Sequence, residues 1–259
     1  MRKPRFTIIT VCYNAEKCIV GTVQSVLQQT FCNYEYIIED GVSKDSTLEL
    51  ATSLTQGNER VSIFSMPDQG IYDAMNKALD HATGEYIFFL NAGDRFCDDK
   101  VLERTSAFLD AHKADIAYGN IVQLDGEQKS VRNYGKLYRR KLFYLTGDCI
   151  CHQAIFGRRE LFLKRKFDTN YKICADRDWQ LFWLGHKAKF FPMPFEVADV
   201  LIDGFSRAHI ADYEKEVKAC ITYYFRRTVW IYSLILLLKK NEGILKALRK
   251  IECFLLKKE

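Results

Sequence analysis

The chain has 259 residues, 48% of them hydrophobic and 27% charged, with a formal net charge of +5. That length suits one large α/β domain or one domain with an appendage, and the composition excludes a disordered chain and a multi-span membrane protein. Seven Lys/Arg against three Glu lie between residues 239 and 259, so most of the excess charge sits in a basic tail. The aromatics do not form the interleaved basic pattern expected of an RNA-binding sheet, so nucleic acid is not expected as a partner.

In chain order, Phe6 to Val11 is a nearly continuous apolar, β-branched run, as expected of a strand buried on both faces of a parallel sheet. The turn CYNAE leads into a helix with Ile19, Val23, Val26 and Leu27 at helical spacing. YEYIIED is a second strand, GVSKDS a turn and TLELATSLTQ a helix. VSIFS is a third strand, GIYDAMNKALDHA a helix and EYIFFL a fourth strand. Strands alternating with helices predict a mostly parallel central sheet with helices on both faces, and ligands then bind at the carboxyl ends of the strands. DIAYGN reads as a fifth strand, and IVQLDGEQKSVRN as a hairpin turning at Asp125 and Gly126. The pattern loosens until RRELFLKRKFD, DRDWQLFWLGH and the strand-like KAKFFP. A catalytic domain over 1–205 and a helical C-terminal extension over 206–259 are expected.

The nine cysteines form no CxxC pair, which fits free thiols in a reducing cytoplasm better than a zinc site or a disulfide framework. The opening MRKPRFTIITVCYN has too short an apolar run for a secretory leader. Neither GxGxxG nor GxxxxGK[ST] occurs, which removes the two commonest phosphate-cradling loops; a nucleotide could still bind through carboxylates at strand ends and a metal on its diphosphate. Tyr13 and Asn14 follow strand one, Asp40 ends strand two, Asp68 follows strand three and Asp94 follows strand four.

Four ordered motifs, TVCYN, EDGVSKDST, PDQGIYDAMNKAL and ATGEYIFFLNAGD, resemble the N-terminal half of glycosyltransferase family 2, in the GT-A fold, of the type that builds bacterial polysaccharides. The resemblance covers residues 5–100 and, more loosely, 145–190. It implies that Asp40 contacts a uracil base and that Tyr13 walls it, with Val11 and Asn14 alongside. It places Asp68 and Asp73 beside the ribose and diphosphate. Asp73 can equally serve the N-terminus of its own helix, Asn76 can bridge backbone groups, and Asp45 reads better as a helix cap. Asn91, Ala92, Gly93 and Asp94 stand where the family carries two or three metal-binding aspartates. Only Asp94 keeps the charge, so Mn2+ or Mg2+ would be shared with the donor's phosphates and bound weakly without them.

On the acceptor side, CADRDWQLF resembles the family's motif of a carboxylate followed two residues later by another, which implies Asp176 as the general base and Asp178 as its supporting residue, although two acids serving a helix N-terminus give the same pattern. His152 and Gln153 of CHQAIF match an acceptor-loop pair, although a packed or surface histidine fits equally. The resemblance implies an inverting transfer from a UDP-sugar to a saccharide or lipid-linked saccharide. A weakened nucleotide-sugar-binding or scaffold protein of the same fold is the alternative. The stretches TVWIYSLILLL and GILKALRKIECFLLKK are too short to span a bilayer, at roughly twenty residues. They suit either a peripheral contact at the inner face of the membrane or packing on the domain or in a homodimer.

Overall fold

The computed structural model describes residues 3–135, 143–144, 148–201, 210–226, 230 and 234. Its first strand, β1 (Phe6–Cys12), is buried at every position, because it is hydrogen-bonded on both sides and covered on both faces. It pairs in parallel with β2 (Tyr34–Asp40) and with β4 (Tyr86–Phe89), and β2 pairs in parallel with β3 (Val61–Ser65). Between them run α1 (Ile19–Leu27), α2 (Thr47–Thr55) and α3 (Ile71–His81). Ile19, Val23 and Val26 of α1, and Tyr72, Met75 and Leu79 of α3, are the buried positions, spaced as one face of a helix requires.

The second half extends and partly reverses the sheet. The order is β3-β2-β1-β4-β8-β6-β9-β5, with β7 on the flank of β6. β5 (Arg95–Phe96) is a two-residue strand followed by α4 (Val101–His112). β6 (Ile116–Asp125) and β7 (Gln128–Arg132) form the predicted hairpin, with Gly126 at φ +58 in its turn. β8 (Ile155–Arg158) is antiparallel to both β4 and β6. After α5 (Arg159–Lys164) and α6 (Ala175–Gly185), β9 (Phe190–Leu201) runs parallel to β6 and antiparallel to β5.

The helix that follows, α7 (Ile210–Tyr224), lies beyond the expected boundary at residue 205 yet belongs to the same core. Its Val217, Cys220 and Ile221 are almost wholly buried. Glu216 accepts hydrogen bonds from the backbone N–H groups of Lys172, Ile173 and Cys174 at 2.8, 2.9 and 3.0 Å. Apart from Trp230 and Leu234, both apolar tail stretches fall outside the described residues. Among the described residues no helix is long and apolar enough to cross a membrane, and every described cysteine is free.

Candidate active site

The loops after β1 and β2 meet at the carboxyl edge of the sheet and are stitched together. Asn14 N donates to Ser43 Oγ, Lys44 N donates to Asn14 Oδ1, and Glu16 N donates to Asp45 Oδ2, at 2.9, 2.8 and 3.1 Å. Two non-glycine residues here are left-handed, Asn14 at φ +49 and Val42 at φ +61. For β-branched Val42 that conformation costs about 1–3 kcal/mol and persists only because its neighbours hold it. Asp40 does the holding: its carboxylate accepts from Ser43 N, Ser43 Oγ and Ser65 Oγ, and the residue is 1% exposed.

Tyr13 stands 61% exposed at the lip of this edge. Gly41 passes beside it so closely that a side chain there would collide with the Asp68 carboxylate and touch the Tyr13 ring. Asp68 Oδ1 takes Gly70 N at 2.8 Å. Asp73 Oδ2 accepts from Gln69 N at 2.9 Å and from Lys77 Nζ at 2.8 Å, so it caps its own helix. Asn76 spans the backbone of Phe167, donating to its oxygen and accepting from its nitrogen. Asp45 accepts from Thr47 N and Thr47 Oγ1 at the start of α2.

The parallel pairing of β1 with β4 brings the segment after β4 alongside Val11, whose carbonyl takes Ala92 N at 3.4 Å. Gly93, at φ +103, sends its N–H to Thr22 Oγ1. Asp94 is 6% exposed; Gln153 Nε2 donates to its Oδ2 at 2.7 Å and Leu201 N to its Oδ1 at 3.1 Å. Burial pushes the Asp94 carboxyl up to about 6, against the lowering effect of those two donors and of nearby His152.

β8 explains how residues from the middle of the chain arrive here. It pairs Tyr86 with Arg158 and Ile87 with Gly157, so the same antiparallel register carried forward sets residues 152–153 opposite 91–92. A 3-10 turn, His152–Ala154, presents the two side chains. His152 Nε2 lies 2.8 Å from Asn91 Nδ2, and its Nδ1 lies 3.3 Å from Asp176 Oδ2. Arg177 N donates to Asp176 Oδ1 at 2.8 Å, and the one Tyr72 hydroxyl hydrogen is shared between that oxygen, at 3.1 Å, and the Ile173 carbonyl, at 2.8 Å. Burial alone would raise the Asp176 carboxyl; the hydrogen bonds from His152 and from Arg177 N, with the Arg177 charge, outweigh it and hold the carboxyl below its ordinary range. Position in the first turn of α6 favours the same ionised form.

Asp178 makes its bonds elsewhere, to Arg165 Nη2 at 2.6 Å and the Tyr224 hydroxyl at 2.8 Å, and none to Asp176 among the described residues. What holds Asp176 is Tyr72, His152 and its own helix N-terminus, with Glu216 fixing the loop ahead of it. Tyr72 reads in sequence as one more apolar-face residue of α3, and Glu216 as one more charge on an exposed helix, so neither carries a local signal.

Among the described residues no group of three or more His, Cys, Asp or Glu side chains is placed to hold a metal. Two oxygens nevertheless suit a hard cation: the buried Asp94 carboxylate, and Asn91 Oδ1, which is buried with no hydrogen-bond partner among the described residues. The remaining ligands of such an ion have to come from phosphate and water.

Comparisons with known proteins bear on the family and the fold. Residues 7–164 match the family described as Glycosyl transferase family 2. A PGL/p-HBAD biosynthesis glycosyltransferase of Mycobacterium tuberculosis is 34% identical over 184 residues, 70% of each chain. A putative teichuronic acid biosynthesis glycosyltransferase, TuaG of Bacillus subtilis, is 36% identical over 114 residues, covering 41% of this chain and 45% of its own. The crystal structure of S. aureus TarS 1-349 in complex with UDP superposes with a TM-score of 0.64 at 18% identity, over 84% of this chain and 65% of that one. This chain therefore spans about two thirds of that TarS fragment. Mannosyltransferase PcManGT from Pyrobaculum calidifontis, in complex with GDP-Man and Mn2+, superposes with a TM-score of 0.64 at 15% identity, over 99% of this chain and 81% of that one. At those identities the structures speak for the GT-A fold alone, whereas the extent of the family match and of the mycobacterial relative settles membership: the chain belongs to glycosyltransferase family 2.

Proposed function

We propose that this glycosyltransferase moves a sugar, with inversion, from a UDP-sugar to a saccharide or lipid-linked saccharide in the synthesis of a cell-surface polysaccharide. One observation carries the reading. A single short turn joins a carboxylate suited to a cation, Asp94 through Gln153, to an ionised carboxylate suited to take a proton, Asp176 through His152. The TarS complex with UDP and the relatives in PGL/p-HBAD and teichuronic acid biosynthesis support the donor and the setting.

In this reading the uracil lies against the Tyr13 ring and the Asp40 loop, with Asp68 at the ribose side. Asp176 takes the proton of the acceptor hydroxyl as its oxygen attacks the anomeric carbon. The new C–O bond forms on the face opposite the breaking bond to phosphate, and UDP leaves with that electron pair. A divalent cation held by Asp94, Mn2+ or Mg2+, supplies charge stabilisation for the leaving diphosphate. Residues 1–205 form the body that does this, with α7 bracing the base. Tyr223, Trp230 and Leu234 are exposed at 76%, 63% and 45%. With the basic tail, these exposed apolar side chains support a contact with the cytoplasmic membrane surface, where a lipid-linked acceptor is found.

The test is a panel of UDP-sugars assayed for UDP release, with and without Mn2+ and a lipid-linked acceptor. Acceptor-dependent release that requires the cation is expected. UDP binding with no transfer under any of these conditions would favour the scaffold reading instead.

A further inference from the structure

Asp176 is gripped unevenly. Its Oδ1 already receives Arg177 N at 2.8 Å and a share of the single Tyr72 hydroxyl hydrogen, which lies 3.1 Å from it and 2.8 Å from the carbonyl of Ile173. Its Oδ2 receives only His152 Nδ1, at 3.3 Å, the longest of the three bonds. A carboxylate oxygen has two lone-pair sites, so Oδ2 is the atom with one left for a substrate proton. A carboxylate can only accept, which puts the imidazole hydrogen on Nδ1 and leaves Nε2 to take the hydrogen bond from Asn91 Nδ2 at 2.8 Å. The side chains of His152 and Asp176 are 16% and 12% exposed, so both bonds are largely shielded from water.

We propose that His152 is a positioning residue for the base: its Nδ1–H turns Asp176 Oδ2 toward the acceptor, while its Nε2 anchors that aim to Asn91 at the end of β4. The inference rests on the reading of Asp176 as the base. The acceptor proton passes to Asp176 Oδ2, and His152 keeps its own hydrogen throughout. The groups facing Asp176 are Tyr72 from α3, His152 from the turn, Arg177, and the thiols of Cys149, Cys151 and Cys174. Burial pushes the phenol and the three thiols up, so they stay protonated around neutral pH. Of the removable donors, His152 is the one that faces Oδ2.

Two near-isosteric variants separate its two bonds. In His152→Asn the amide nitrogen can stand where Nδ1 was and still donate to Asp176. In His152→Gln the amide oxygen can stand where Nε2 was and accept from Asn91 Nδ2, and the donor to Asp176 is lost. We expect kcat to fall by about 100-fold in His152→Gln and His152→Ala and by roughly tenfold or less in His152→Asn, with KM for donor and acceptor moved less than about threefold. The acid limb of the kcat–pH profile should move to higher pH in His152→Gln and His152→Ala, because Asp176 loses a donor to its charged form. UDP binding and thermal melting check that each variant is folded, and the Asn/Gln pair decides the matter if the alanine chain is not. Equal rates for Asn and Gln, an unmoved acid limb, or a defect confined to acceptor KM would each overturn the proposal. Asp176→Asn is the control. If it still transfers sugar, the reading of the base has failed; if it is inactive while His152→Gln matches the parent, only the role of His152 has.

Discussion

Gln153 Nε2 donates to Asp94 Oδ2 at 2.7 Å across a separation of 59 residues in sequence. With Leu201 N on the other oxygen, each oxygen of Asp94 is aimed by one donor and keeps a lone pair for a cation. Asp94→Asn preserves the shape and removes the charge. We predict a loss of at least about 100-fold in kcat and loss of the response to added Mn2+, with metal-free UDP affinity changed by less than about threefold. Metal titration of UDP release, and calorimetry without metal, measure the two parts.

Asp176→Asn should abolish most transfer, by about 10² to 10⁴ in kcat, the usual worth of a positioned general base. Its affinity for UDP should stay that of the parent. Transfer at the parental rate would remove Asp176 from the mechanism.

Glu216 holds three consecutive backbone N–H groups just ahead of the base. Hydrogen bonds to a charged group are worth about 1.5–3 kcal/mol each, and the three share one carboxylate. Glu216→Ala should lower the melting temperature by several degrees and reduce kcat more than donor KM. A variant that melts with the parent would show that the 172–174 loop is held without it.

Glu39 lies beside Asp40 in β2, is 1% exposed, and has neither carboxylate oxygen hydrogen-bonded among the described residues. Burial pushes it up to about 7, against the pull of Lys77 and with the push of Asp68, Asp40 and Asp73. Raised in the folded state, it contributes stability that is fully present below its ordinary value near 4.5 and is lost as pH rises through about 7. The shift corresponds to roughly 3 kcal/mol between those limits. Glu39→Gln should therefore melt above the parent at pH 8, with the gap closing toward pH 5; denaturant titrations at both pH values would show it.

Tyr13, exposed at the rim, is expected to matter for its ring alone. Tyr13→Ala should raise donor KM about tenfold, in line with ~1–3 kcal/mol for a base stacked on an aromatic side chain. Tyr13→Phe should change it by less than about twofold.

The sequence revealed the first half of the fold because β1, β2 and β4 are almost wholly buried and α1 and α3 carry a 3.6-residue apolar stripe. The second half hid its architecture for physical reasons. β5 is two residues long, β8 is four residues whose pairing is tertiary, and α4 was not singled out. β9 begins within the strand-like KAKFFP but runs on to Leu201 through an irregular mixture of buried, half-buried and exposed residues. Of the candidate residues, Asn91, Asp94, His152, Gln153 and Asp176 do come together. Asn14, Asp40 and Asp73 are engaged in holding loops and caps. The partners of Asp176 could not be read, since Tyr72 and Glu216 approach it from remote elements.

The hydrogen bond from Leu201 N to Asp94 Oδ1 joins residues 107 apart, and β5 beside it pairs only with β9. During synthesis the first four strands can pair with one another once residue 89 has emerged, because all their mutual partners lie between residues 6 and 89. The Asp94 carboxylate has to wait for the end of β9. A nascent chain stalled before residue 201 would thus have these four strands paired and Asp94 Oδ1 without its backbone donor.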